Sequence, residues 1–275
     1  MMRRSAGKAD GGFALLIVLW TMVMLSFLAF AIVASGRRQV RIAARERLHA
    51  QLQAQADGGV WEATFNLLDT SRAHWRADGM AHRLRRGRAM VEYRIASEAG
   101  KVNPNLASPD LLATLLRAAG AQARMAQEIA INIRAWRFPL QQGGPPLAGG
   151  AAAYAAAGLD YAPPGAPFQT REEIALVLGM TPALVTQVLP ELSVYWDADP
   201  VALLAGPVVR QALAMAGQPP TPDDGGRSQT IVGVDVIVTD MSGARARRHA
   251  VVMTQPVDGG GFTTGILQWN HPEDY

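Results

Sequence analysis

Between Phe13 and Ala34 the chain runs for 22 residues without a charge, and no other feature restricts its fold so strongly. As a helix rising 1.5 Å per residue that stretch reaches about 33 Å, enough to cross a hydrocarbon core of about 30 Å. A buried helix of a soluble domain would carry a polar stripe. Here only Thr21 and Ser26 interrupt the run, and both can bond back to the helix backbone. The stretch therefore reads as a membrane-spanning helix. Enough chain follows for a folded domain, since 49% of the 275 residues are apolar. The absence of cysteine excludes a disulfide scaffold, thiol catalysis and thiolate metal sites, but leaves the compartment open. The net charge of +3 gathers in runs such as Arg83, Arg85, Arg86 and Arg88, which read as solvated surface.

Twelve residues precede the span, MMRRSAGKADGG, carrying Arg3, Arg4 and Lys8 and closing on Gly11 and Gly12. A secretory signal has a shorter apolar core with a small-residue cleavage site after it. Here the small residue comes first, and the apolar run is too long for a cut near Ala34-Ser35-Gly36. Charge does not orient the span, because Arg37, Arg38, Arg41, Arg45 and Arg47 follow it and rival the leader.

Beyond the membrane, Val40, Ala44, Leu48 and Leu52 recur at four-residue spacing and predict that the helix continues to about Ala56. Asp57-Gly58-Gly59 is expected to break or kink it before Trp61, Phe65 and Leu68 resume helical spacing. Arg88 to Ala96 alternates as a half-buried strand. From Lys101 to about Tyr195 the chain reads as helical. Ser108-Pro109 and Thr181-Pro182 supply N-caps, and Thr170 to Glu173 forms a capping box. Leu140 to Pro167, rich in Gly, Ala and Pro, reads as a long loop with a short helix near Tyr154. A helix from Pro200 to Met215, the linker QPPTPDDGG, and strands over 231–238, 250–254 and 262–268 complete the chain.

Gly12-Phe13 resembles the site cut by prepilin peptidase, and with the apolar run behind it the chain is similar to type IV pilins and pseudopilins. Their mature chains usually begin with Phe and carry Glu at the fifth position, which here is Ile17. The pseudopilin that lacks this Glu is subunit K of type II secretion, also called general secretion pathway protein K. Glu98 to Asn105 (EAGKVNPN) resembles the lead-in to that family's helical domain. Tyr161 to Met180 and Pro190 to Tyr195 are similar to its later segments. The implied fold is α+β: a transmembrane helix continuing into a helix-plus-antiparallel-sheet domain with a large helical domain inserted. The corresponding boundaries are a leader 1–12, a span 13–34, a stem and first sheet part 35–100, an insert 101–198 and a closing part 199–275. The resemblance further implies cleavage between Gly12 and Phe13 and N-methylation of Phe13. Ile17 becomes the mark of a tip subunit. The implied partners are minor pseudopilins I and J, prepilin peptidase and the inner-membrane secretion platform. The chain would be a single-pass protein of the bacterial inner membrane with its globular part in the periplasm. It would help to initiate the pseudopilus and so to export proteins across the outer membrane.

No catalytic residue is expected. His49, His74, His82, His249 and His271 lack metal-ligand spacing, and no nucleophile elbow, phosphate loop or His-Glu-x-x-His pair occurs. The resemblance raises calcium, because related K subunits look like calcium binders through Trp-x-Asp-x-Asp and Gly-x-Glu-x-x-Tyr stretches. This chain departs at both places: Arg137-Phe138-Pro139 follows Trp136, and Gly-Gly-Ala-Ala-Ala precedes Tyr154. Only Asp160, Glu172, Glu173 and the carbonyls of the loop remain nearby, so no cofactor is expected and no metal ligand is assigned, with calcium kept as the alternative. The alternative is a membrane-anchored helix-hairpin-helix protein of the competence type, binding DNA phosphate through the hairpin Gly179 to Pro182. No Lys or Arg lies between Arg171 and Arg210, so nucleic acid is not the expected partner.

Overall fold

A computed structural model describes residues 10–72, 74–138, 149–217 and 229–270, with side chains from Phe13 onward except 32–38. The leader's first nine residues, Leu140 to Ala148 of the expected loop, the linker and His271 lie outside the described residues. Two compact units make up the chain, Met1–Ala54 and Gln55–Tyr275.

In the first unit a single helix carries the anchor. Helix α1 spans Asp10–Leu68, and its apolar stretch Phe13–Ala31, 19 residues long, buries none of its surface in the protein. Thr21 returns its hydroxyl to the Val18 carbonyl at 2.9 Å, as the lack of other polar partners requires.

In the second unit α1 continues without the expected interruption at Asp57-Gly58-Gly59. Packing overrides the breaker residues. Ala56, Val60 and Ala63 are fully buried on one face, and Gly59 sits where a Cβ would stand 2.7 Å from Val236 Cγ1. Asp57 is an ion-pair partner of Arg248, whose side chain is only 1% exposed. Glu62, one turn on, accepts from the Tyr93 hydroxyl at 2.5 Å and pairs with Arg86.

The helix lies against a five-stranded antiparallel sheet in the order β1 (Asp78–Arg86), β2 (Ala89–Ser97), β3 (Thr230–Thr239), β4 (Arg245–Pro256), β5 (Phe262–Asn270). Strand β2 alternates as expected, with Val91, Tyr93 and Ile95 buried and Met90 and Arg94 exposed. Arg83, Arg85, Arg86 and Arg88 are solvent-exposed as expected, the first three on the edge strand β1 and Arg88 in the two-residue turn Gly87-Arg88 that closes it, with Gly87 at φ +59°. Arg83 bonds Glu92 at 2.6 Å across the pair.

The chain between β2 and β3 folds as a helical body, yet the two strands remain neighbours from Met90↔Thr239 to Ser97↔Val232. Its helices are α2 (Pro109–Ala118), α3 (Ala123–Arg137), the short α4 (Ala151–Ala156), α5 (Pro182–Val188) and α6 (Pro207–Met215). Ser108 and Thr181 cap α2 and α5 as expected, by accepting from the amides of Leu111 and Leu184. The Thr170 capping box opens a 3-10 helix, Arg171–Leu176, rather than an α-helix. Val209, Ala212 and Leu213 of α6 join the same apolar core as Leu111, Leu115, Ile129 and Ile133. The helical core thus extends past residue 198.

The two adjacent helix glycines should respond oppositely to a methyl group. Gly59→Ala meets a stiff β-branched side chain and should lower stability by about 1–3 kcal/mol. Gly58→Ala has open space and should raise it by about 0.5–1 kcal/mol. Thermal melts of the detergent-solubilised chain check both; equal effects would mean that α1 does not rest on the sheet at Gly59.

Candidate functional site

The lead-in motif Glu98 to Asn105 works as a clasp. Val102 pairs in parallel with Leu192, its amide donating to the Glu191 carbonyl at 2.9 Å while Ser193 donates to the Val102 carbonyl at 3.0 Å. The two ends of most of the insert are thereby tied together. Asn103 donates to the Trp196 carbonyl at 2.7 Å, and Val201 to the Ala99 carbonyl at 2.8 Å. Asn105 grips Phe168 twice, accepting from its amide at 2.8 Å and donating to its carbonyl at 2.9 Å. Ala99, Trp196, Val201, Ile231 and Val251 seal the neck against the sheet.

Beside this neck an open cleft of about 830 Å³ separates the sheet's outer face from the insert. Arg171 reaches Nε2 of His249 at 3.4 Å, and Nδ1 of His249 lies 3.2 Å from Asp235. Arg247 bonds the same Asp235 oxygen at 2.8 Å. Burial raises the Asp235 pKa, but His249 and then Arg247 outweigh it and hold the carboxyl well below the usual range. The other cations here are also matched: Lys101 with Glu98, Arg171 with Glu172 at 3.1 Å, and Arg94 with Glu92 at 2.8 Å. With Arg171 of the insert facing His249, which itself meets Asp235, the cluster braces insert to sheet. Sequence reasoning missed it because His249 and Asp235 lie on different strands and Arg171 is far from both in the chain.

The hairpin Gly179 to Pro182 is tied to its surroundings at Leu178 and Met180. The Leu178 amide donates to the Tyr154 hydroxyl at 2.9 Å, the Leu178 carbonyl accepts from Asn132 at 2.8 Å, and the Met180 amide donates to Val177 at 3.1 Å. The Met180 amide is thereby already engaged and not free to bond phosphate. At the places where the resemblance implies calcium, Phe138 and Ala151 stand instead of carboxylates, and Trp136 and Tyr154 are buried among aromatic rings, a lining that does not suit a hard cation.

Gly12 and Phe13 lie in the first turn of α1, which starts at Asp10; Phe13 is 71% exposed and Ile17 47%.

One chain of the GspK-GspI-GspJ complex from the type 2 secretion system of enterotoxigenic Escherichia coli matches this fold. Its TM-score is 0.59 at 11% identity, over 86% of this chain and all of that one. No curated protein matches the chain. Residues 63–197, from the end of α1 through the helical insert, match the family model for type II secretion system protein K. Residues 63–197 thus place this part of the chain in the type II secretion protein K family. This protein K is a minor pseudopilin, and its apolar N-terminal helix fits a single-pass membrane anchor. The family is a structural component of the secretion system, and the match gives the DNA-receptor reading no support.

The brace of protein K predicts an acid dependence. The folded Asp235 pKa lies below its unfolded value of 3.8, so the stabilisation is complete above that value. It is lost as pH falls through the folded pKa. Asp235→Asn should therefore be less stable at neutral pH and show a flatter loss of melting temperature toward about pH 3 than the wild type. Parallel acid limbs would exclude Asp235 as the titrating brace.

Proposed function

We propose that this protein K caps the type II secretion pseudopilus and helps to start its assembly, with minor pseudopilins I and J as its immediate partners. The observation that carries the reading is Ile17, an apolar residue at the fifth mature position of the anchor in a member of the K family. In the related subunits a carboxylate at this position meets the N-terminal amine of the subunit above. A leading subunit has no amine above it. An unpaired carboxylate there would cost about 2.5–3.5 kcal/mol, taking a mid-membrane Asp as the guide. Support for I and J comes from the matched solved chain, which belongs to a complex of GspK, GspI and GspJ.

Prepilin peptidase then cuts between Gly12 and Phe13, and Phe13 becomes the methylated N-terminus. Because α1 begins at Asp10, the scissile bond lies inside the first helical turn. That turn must unwind for cleavage, which a fraying helix end permits at little cost. The basic leader stays on the cytoplasmic side with the secretion platform, and the globular unit occupies the periplasm. The role is structural, without a catalytic step.

Two measurements test this. Co-expression with prepilin peptidase should give a chain beginning at Phe13 by mass spectrometry; an intact leader or a cut near Ser35 would sink the processing step. In a strain lacking the subunit, Ile17→Leu should restore exoprotein release fully and Ile17→Glu fully or slightly less. Markedly better assembly with Ile17→Glu, or its spread along the shaft, would overturn the tip assignment.

A further inference from the structure

From Ile129 to Leu159 the sequence contains no Asp or Glu, although this segment holds both places where the resemblance implies a calcium ion. The donors expected there are replaced by Phe138 and Ala151, neither of which offers a side-chain oxygen. A hard divalent cation needs six to eight oxygens, many of them charged.

A cation is present nonetheless, supplied by the chain. The last residue of α3 is Arg137, whose guanidinium donates through Nη1 to the Asn105 carbonyl, while Nε is buried without a hydrogen-bond partner. No carboxylate pairs with Arg137 among the described residues. The bond reaches the centre of the clasp, since Asn105 holds Phe168 by both its amide and its carbonyl. Phe168 in turn stacks on Trp136 at 5.6 Å with ring planes 8° apart, and the Trp136 carbonyl accepts from Gly165 at 3.1 Å. The end of α3, the lead-in at Asn105 and the Gly165 to Phe168 stretch are thereby linked, with the guanidinium bonding the Asn105 carbonyl at their meeting point. Burial, and next the neighbouring Arg134, lower the Arg137 pKa, so a second cation placed beside it would be repelled.

We propose that Arg137 is the built-in cation of this junction, joining α3, Asn105 and the Phe168 stretch in place of a bound divalent ion. The helical insert is then stable without calcium. A guanidinium suits the task because its planar fork and permanent charge make strong, directional bonds to carbonyl oxygen. The inference is independent of the tip assignment, since it concerns the stability of the insert alone.

The test is thermal unfolding of the detergent-solubilised full chain, followed by tryptophan fluorescence, in EDTA and then in excess calcium chloride. The wild type should melt at the same temperature in both. Arg137→Gln should melt about 3–10 °C lower and gain nothing from calcium. Arg137→Lys, which keeps the charge but loses the fork, should fall between the two. A wild-type melting temperature that drops in EDTA or rises with calcium would overturn the proposal, and so would an unchanged Arg137→Gln. Should the Gln variant fail to fold, the wild-type comparison and the Lys variant still decide the matter.

Discussion

The folded unit depends on how closely α1 approaches the sheet. Gly59 lets the helix backbone reach Val236 and Tyr93, and a Cβ there would lie inside van der Waals contact. That approach brings Asp57 to Arg248, a guanidinium sealed from water that also lies 5.4 Å from the Trp269 ring centre. A buried charge without a partner is strongly destabilising, so Arg248 fixes which turn of α1 faces β4. Glu62 repeats the tie on the other side, where Arg86 and then Tyr93 lower its pKa while burial opposes them. These residues tie the helix to β1, β2 and β4 of the sheet.

On that frame the insertion between β2 and β3 costs the sheet little. The two strands keep eight consecutive residue pairs, because the clasp at Val102, Asn103 and Asn105 brings the two ends of the insert together at the neck. Loop-closure entropy grows slowly with length, so a large insert is tolerated when its ends are pinned. A subunit built this way adds a second surface to the pilin-like unit without altering the helix that anchors it. The same neck carries the Arg171, His249 and Asp235 brace, which joins the insert to the outer face of the sheet at a second place.

Several elements were legible because their signals are local. The apolar run, the alternation in β2, the Ser-Pro and Thr-Pro caps, and the Gly-Pro-rich stretch around Tyr154 each identify an element from neighbouring residues. Strand β1 was missed because arginines dominate it. It is an exposed edge strand and lacks the apolar alternation that marks a half-buried one. Of the break or kinked continuation expected at Asp57-Gly58-Gly59, the break does not occur, for the opposite reason. Glycine lowers helix propensity locally, but here a glycine is what allows the packing that stabilises the helix.

By itself the sequence determined the apolar anchor segment, the absence of cysteine chemistry, the order of helices and strands apart from β1, and the lack of carboxylates around Trp136 and Tyr154. Those properties follow from composition and short-range periodicity, which the chain carries before it folds. Only the tertiary structure decided that Asp57 meets Arg248, that Arg171 meets His249, that α6 packs with the insert's helices, and that Arg137 closes the junction at Asn105. Each of these joins residues far apart in sequence. Burial is what gives such contacts their energy, because a charge or amide removed from water must find its partner wherever the fold has placed it.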